Sequence, residues 1–467
     1  MIRHFVKIWC PIWNELSKET VLSKVINNID LFKIRLDSAY DDTKTKSVHM
    51  ISKLDNGKSI ILELKWWEIR TRNLYPLNIK KWKAIPIVSS KSFEDNENAL
   101  LIDHENVSAV KSDISKITIW DHIVNINRDK DNNVLVQSLS DISIEPNTLV
   151  TTEDMQTWPE FLTARDKRDI VRGIKNNINM IIIPYINTIE DIKNVSDYVH
   201  INQWSHIKKL IKIQTKSSLE NIEWFLPHVD GFLLSEDDIL KITWKDNYEK
   251  TVQQIIDVSN LDGKPVILTL NSIKLKQNWN QVEDTIKKYV WYGISCFMFD
   301  DKIVEFEDAI DIISAFYEKV VDNQFVNKKP ITYNQAKIHP QYEINDYIIF
   351  TWYRAINELN IKAVICYTEN GYTASRIASY RPDVPIIAFT KNDDTYRYLN
   401  LLWSVKWYKI WANFDYNNIK QMWKEIVRMM FKWNIILEDK IMVIHASSVL
   451  SHENVINGVE IYKFRDI

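Results

Sequence analysis

Eight short apolar runs, most of them separated by amphipathic helical stretches, constrain this chain more than any other feature. They fall at residues 4–10, 31–36, 59–64, 180–185, 210–214, 231–234, 265–269 and 295–299. Strands joined by helices cannot pair as hairpins; they run parallel, and eight strand–helix units close into a barrel. The alternation stops after the third run and resumes after Pro159. Residues 73–158 instead carry β-like runs at 84–88, 117–122 and 133–137 and a turn-rich link at 129–133, which predicts a small inserted β-domain. Where the barrel resumes, Thr163 with Asp166 three residues later predicts a capping box. From about Lys328 a second alternation begins: helix 343–359, strand 363–367, helix 373–380, strand 385–389, then β-like runs at 440–445 and 458–464. The expected class is α/β. A (β/α)8 TIM barrel takes residues 1–72 and 159–327, the β-domain takes 73–158, and a C-terminal open α/β domain takes 328–467.

Charge and cysteine usage exclude several functions. The net charge of −3 offers no polyanion-binding surface, so no nucleic-acid partner is expected. Cys10, Cys296 and Cys366 are odd in number and far apart, unlike a disulfide framework or a zinc site. The N-terminus runs straight into a strand without a signal-type apolar region, and no apolar run reaches bilayer-spanning length. These features lead to the expectation of a cytoplasmic protein with no membrane contact.

The third apolar run ends in charge. ILELKWWEIRTR, residues 61–72, places Lys65, Glu68, Arg70 and Arg72 just past a buried-looking strand. The C-terminal ends of barrel strands are where such folds carry chemistry. With Trp66 read as glycine, LKWWEIR resembles TKGPEIR of the pyruvate kinases. Other segments of the chain resemble the same family in order. KIWCPIWNELSKE resembles its KIxxTIGPAS, FKIRLDSAYDD its RxNxSH, PEFLTARDKRDI its LPxLTxKDxxDI, and KIQT its KIEN. VDGFLLSEDDIL resembles SDGIMVARGDL, and YTENGYTASRIASYRPDVPIIAFT resembles TESGxTAxxISxYRPxxPIxAxT.

The resemblance implies transfer of the phosphoryl group of phosphoenolpyruvate to ADP, giving pyruvate and ATP. It implies Mg²⁺ or Mn²⁺, with K⁺ possible, and a homotetramer. Carried onto this chain, Arg35 holds the phosphate, Lys212 neutralises the moving phosphoryl group, and Arg70 lies toward the nucleotide. Asp238 ligates the divalent metal, with Asp237 beside it. The family's second metal carboxylate reads Gln214, a weaker ligand. Its threonine near the protonation position reads Leu270, with Thr269 adjacent. Its monovalent-cation ligands read Asp37, Ala39, Glu63 and Leu64, while Glu68, which accompanies potassium dependence there, is retained. The segment after the eighth strand reads Phe299, Asp300, Asp301, Lys302. These departures admit a second reading, a catalytically silent relative acting as a ligand-binding or regulatory subunit. A third is a barrel enzyme acting on another phosphorylated or enolisable acid.

In the C-terminal domain, Thr368, Glu369, Asn370, Gly371 and Thr373 form a strand-to-helix loop with donors at a helix start. Such a loop can take an anion or simply cap the helix. The resemblance implies a phosphorylated-sugar effector there.

The chain has 7 glycines and 18 tryptophans. Trp13, Trp66 and Trp433 stand where the family has glycine, and Trp407 sits in a glycine-like KxY segment. Depletion of one residue beside excess of the other is the pattern expected if UGA codons are read as glycine in the source lineage. Reading every tryptophan so would bring glycine to about 25, nearer ordinary usage. The alternative is genuine tryptophan in a diverging paralogue.

Overall fold

The computed structural model describes residues 5–463 except 37–41, 56, 66–68, 90–97, 103–114, 120–121, 147, 152–161, 177, 179, 205, 244, 325–342, 410–438 and 447–455. The chain divides into two compact units, Met1–Leu64 with Arg168–Ile467, and Lys65–Lys167.

The first unit contains a closed parallel barrel. Its strands are β1 (Lys7–Pro11), β2 (Leu31–Ile34), β3 (Ser59–Glu63), β4 (Met180–Ile183), β5 (Lys208–Lys212), β6 (Gly231–Ser235), β7 (Val266–Leu270) and β8 (Cys296–Phe299). Each pairs with its neighbours in chain order, and β1 pairs with β8 to close the ring. The strands are short and nearly all apolar because both of their faces are buried, one by the barrel interior and one by helices. The helix Ala164–Lys175 begins at the expected capping box: Asp166 N–H donates to Thr163 Oγ1 at 3.1 Å, and Thr163 N–H to the Asp166 carboxylate at 3.3 Å.

The same unit carries a five-stranded sheet. Its strands are β9 (Ile361–Tyr367), β10 (Ile386–Thr390), β11 (Val405–Lys409), β12 (Lys440–Ala446) and β13 (Ile456–Lys463), in the order β11–β10–β9–β12–β13. All neighbours are parallel except β12 and β13. Two arginines fasten this region to barrel helices. Arg376 donates to the Leu261 carbonyl at 2.7 Å, and Arg381 donates to the Val290 carbonyl. Each carbonyl lies in the last turn of its helix, Tyr248–Leu261 and Val282–Tyr292 respectively.

The second unit, Lys65–Lys167, is a small β structure. Its strands Ala84–Ser89 and Val134–Ser138 alternate buried and less buried residues, as one-faced strands do. Ile85, Ile87, Val124, Val134 and Val136 belong to its core. The run expected at 117–122 is two strands, Lys116–Ile119 and His122–Arg128, which pair antiparallel. The link at 129–133 is a turn in which Asp129 Oδ1 accepts from the N–H groups of Asp131 and Asn133.

Of the glycine-like tryptophans, Trp66 and Trp433 lie outside the described residues. Trp13 has ordinary extended backbone, φ −130° and ψ 170°. Trp407 corrects its expectation: it lies within β11, stacks on Tyr396 with ring centroids 4.4 Å apart, and donates from Nε1 to Asn400 Oδ1. Trp82 has the backbone that favours glycine, φ +63°, with its side chain exposed.

Candidate active site

Strand register decides which side chains enter the barrel. Lys33 on β2 pairs with Ile61 on β3, Ile182 on β4 pairs with both Glu63 and Leu210, and Lys212 on β5 pairs with Leu233 on β6. Paired residues of parallel strands point to the same side, and alternate residues repeat it. Lys33, Glu63 and Lys212 therefore share one face. That face is the interior, because Lys212 approaches Glu63 across the intervening β4. Continuing the register, Leu233 pairs with Ile267 and Ser235 with Thr269. Thr269 thus faces the interior, and Leu270 lies on the opposite, helix-covered side of β7.

Glu63, at the C-terminal end of β3, is the hub of the interior charges. Lys33 Nζ is 2.8 Å from its Oε2, and Lys212 Nζ is 3.9 Å from its Oε1. Lys33 also reaches Asp301, just past β8, at 2.9 Å. Lys212 reaches Asp238 Oδ2 at 3.2 Å. Burial pushes the Glu63 carboxyl up, but Lys33, Lys212 and the Arg35 guanidinium outweigh it and hold it down at about 2. Burial likewise opposes charge on Lys212 and Lys33. Asp238 and Glu63 overcome it for Lys212, and Asp301 and Glu63 for Lys33, so both lysines are raised above the ordinary value and stay charged. Arg35 follows β2 at its C-terminal end, and its field acts on both Glu63 and Lys212.

The two adjacent aspartates diverge. Asp238 turns to Lys212, whereas Asp237 is held by Asn271 Nδ2 at 2.9 Å and Lys274 Nζ at 3.0 Å, beyond β7. Both lie in the first turn of the helix Glu236–Ile242, where the amide ends favour carboxylates. Gln214, past β5, is buried, and its Oε1 has no hydrogen-bond partner; nor has Thr269 Oγ1. A buried acceptor left so costs about 1–3 kcal/mol, which a bound ligand can recover.

The donor set suits a hard divalent cation. Asp238 and Gln214 supply oxygen, and Mg²⁺ ordinarily takes one or two protein carboxylates and completes its shell with phosphate oxygens and water. Among the described residues no group of three or more His, Cys, Asp or Glu forms a self-sufficient metal cage. At Glu63, Oε2 is in contact with the Lys33 ammonium and Oε1 lies 3.9 Å from that of Lys212, so ammonium charge already surrounds the place a monovalent cation would take. Asp37 and Glu68 lie outside the described residues.

Arg70 belongs to the other unit. It ends the two-residue strand Ile69–Arg70 and pairs there with Leu149. In the C-terminal region, Gly371 has φ +88° and begins the helix Tyr372–Ser379. Its N–H donates to Thr368 Oγ1, and the Tyr372 N–H donates to Asn370 Oδ1, both at 3.0 Å. Thr373 is buried in the first turn of the helix. Glu369 pairs with Lys391 at 3.1 Å. Two of the loop's backbone donors, the N–H groups of Gly371 and Tyr372, thus close its own turn.

Sequence reading passed over Lys33 and Asp301 as site residues. The signal for Lys33 was present: a lysine two residues before Arg35 in an otherwise apolar strand shares the arginine's face.

The family profile described as "Pyruvate kinase, barrel domain" matches residues 16–281, and "Pyruvate kinase, alpha/beta domain" matches residues 346–462. The pyruvate kinase of Staphylococcus saprophyticus is 23% identical over 414 residues, covering 85% of this chain and 70% of its own. That of Staphylococcus aureus strain MRSA252 is 24% identical over 421 residues, covering 86% of this chain and 71% of its own. Barrel, C-terminal sheet and matched profiles together place the chain in the pyruvate kinase family.

Proposed function

We propose that the chain transfers the phosphoryl group of phosphoenolpyruvate to ADP. The bond from phosphorus to the enol oxygen breaks, a bond to a terminal phosphate oxygen of ADP forms, and the released enolate takes a proton at its methylene carbon to give pyruvate. The observation that carries this reading is the convergence of Lys212, Arg35 and Asp238 at the C-terminal mouth of one barrel. Charge spread over the transferring oxygens needs fixed cations, and Asp238 and Glu63 keep Lys212 charged against the cost of its burial.

In this reading the Lys212 ammonium stabilises the moving phosphoryl oxygens, and the Arg35 fork receives the phosphate. Thr269, facing the interior with an unpartnered hydroxyl, lies toward the enolate, in the role assigned from sequence to Leu270. Asp238 and Gln214 would hold Mg²⁺ or Mn²⁺, which when bound would supply positive charge for phosphate oxygens. By the family likeness, Arg70 lies toward the nucleotide. The family likeness adds a homotetramer and a sugar-phosphate effector at residues 368–373.

One observation favours the alternative of a silent, ligand-binding relative: an amide at Gln214 binds a divalent ion less tightly than a carboxylate. A coupled assay with phosphoenolpyruvate, ADP and Mg²⁺ or Mn²⁺ separates the two, using protein purified from the native host so that decoding is authentic. Pyruvate and ATP in equal amounts, abolished by chelator, are expected. Binding of phosphoenolpyruvate without any pyruvate would overturn catalysis and leave the silent reading.

A further inference from the structure

Lys33 is a costly residue where it sits. It lies on the interior face of a barrel strand with 4% exposure, and a buried ammonium is tolerated only when it is matched by carboxylates. Its matching is specific: Glu63 Oε2 at 2.8 Å on one side and Asp301 Oδ1 at 2.9 Å on the other. It thereby ties β2 to β3 and to the segment after β8. The second oxygen of Glu63 is turned toward Lys212, 3.9 Å away. Lys33, Lys212 and Arg35 all act on the Glu63 carboxylate, and among the described residues Lys33 and Lys212 are paired with Glu63, Asp238 and Asp301. A mobile monovalent cation approaching Glu63 would meet the Lys33 ammonium 2.8 Å from one oxygen and the Lys212 ammonium 3.9 Å from the other, and like charge repels it.

We infer that Lys33 is a tethered monovalent cation: its ammonium takes the place beside Glu63 that a potassium ion would otherwise fill, so the site works without one. Lys33 is a positioning residue in this scheme. It holds Glu63 charged and fixed, and Glu63 in turn helps to hold Lys212 charged and directed at the phosphoryl group. The inference rests on the phosphoryl-transfer reading for its kinetic consequence, but its ion-binding consequence stands apart from turnover.

The test compares the wild type with Lys33→Met, which keeps the length of the side chain and removes its charge. Activity is followed while K⁺ replaces tetramethylammonium at constant ionic strength, and Tl⁺ binding is followed by thallium NMR. The wild type is expected to change less than about twofold in kcat across the titration and to bind no Tl⁺ at the site. Lys33→Met is expected to lose about tenfold or more in kcat without K⁺, to recover several-fold when K⁺ or ammonium ion is added, and to bind Tl⁺. Rescue by a small cation is not the behaviour of a merely structural lysine. Strong activation of the wild type by K⁺, or saturable Tl⁺ binding that is lost in Glu63→Gln, overturns the inference. These two readings use no Lys33 variant and survive its failure to fold. If no protein turns over in any salt, the phosphoryl-transfer reading fails, while the Tl⁺ comparison still decides the role of Lys33.

Discussion

The two ends of the barrel both carry interior or near-interior lysines, and the chain treats them in opposite ways. At the C-terminal mouth, Lys33 and Lys212 are each gripped by two carboxylates and raised above the ordinary lysine value. At the N-terminal end, burial dominates at Lys7, Lys58, Lys209 and Lys264, and all four are lowered. Lys7 lies 3.9 Å from Asp30 and donates a hydrogen bond from Nζ to the Val405 carbonyl at 2.9 Å, joining the barrel to β11. The same residue type is thus a fixed positive charge at one end and a bolt at the other. What separates the roles is not the number of carboxylates, since Lys58 and Lys264 also feel two each, but direct hydrogen bonding: Lys33 and Lys212 bond to carboxylates at close range and so overcome burial.

Substitutions can break this contrast. Lys212→Met should lower kcat by about 10²–10³-fold with the fold intact by circular dichroism, the loss expected for one preorganised cationic donor. Stability should respond at the mouth through Glu63. Its folded value is depressed, so its contribution is present above the ordinary carboxylate value and is lost as pH falls toward about 2. The shift corresponds to about 3 kcal/mol, and denaturant unfolding of the wild type against Glu63→Gln between pH 5 and pH 2 should show the difference closing. The smallest effect belongs to the other end. Lys7→Met should cost about 1–3 kcal/mol of stability through the lost bond to Val405 and leave kcat unchanged. Because the lowered lysines there disfavour their charge on folding, their contribution should improve as pH rises through their folded values. The raised Lys33 and Lys212 should lose theirs only above the ordinary lysine value.

The barrel was legible because eight apolar runs with helices between most of them leave few alternatives, and the strand ends fell within a few residues of expectation. Function at the mouth was legible only in part. In β7 the sequence VILTL is apolar but for Thr269, so no alternating pattern tells whether Thr269 or Leu270 faces the interior; pairing with Ser235 and Met298 does so. Lys33 escaped notice because its importance comes from Glu63 and Asp301, distant in sequence and brought to it by β2–β3 pairing and by barrel closure. Trp407 misled because a KxY segment can be a turn or, as here, an edge-strand stretch whose indole packs on Tyr396. Trp82 is the opposite case. A bulky residue at φ +63° costs strain that glycine avoids. Intact mass from the native host should come out below that of an eighteen-tryptophan chain; equality with that chain sinks the recoding reading.

The guanidinium groups of Arg376 and Arg381 meet the last turns of two barrel helices, where backbone carbonyls gather partial negative charge. Each barrel helix thus borrows its terminus from a segment far along the chain. A protease cut between barrel and C-terminal sheet should yield pieces that co-migrate until denaturant is added. Ribosomal synthesis would leave those two helix ends frayed until the final third of the polypeptide emerges.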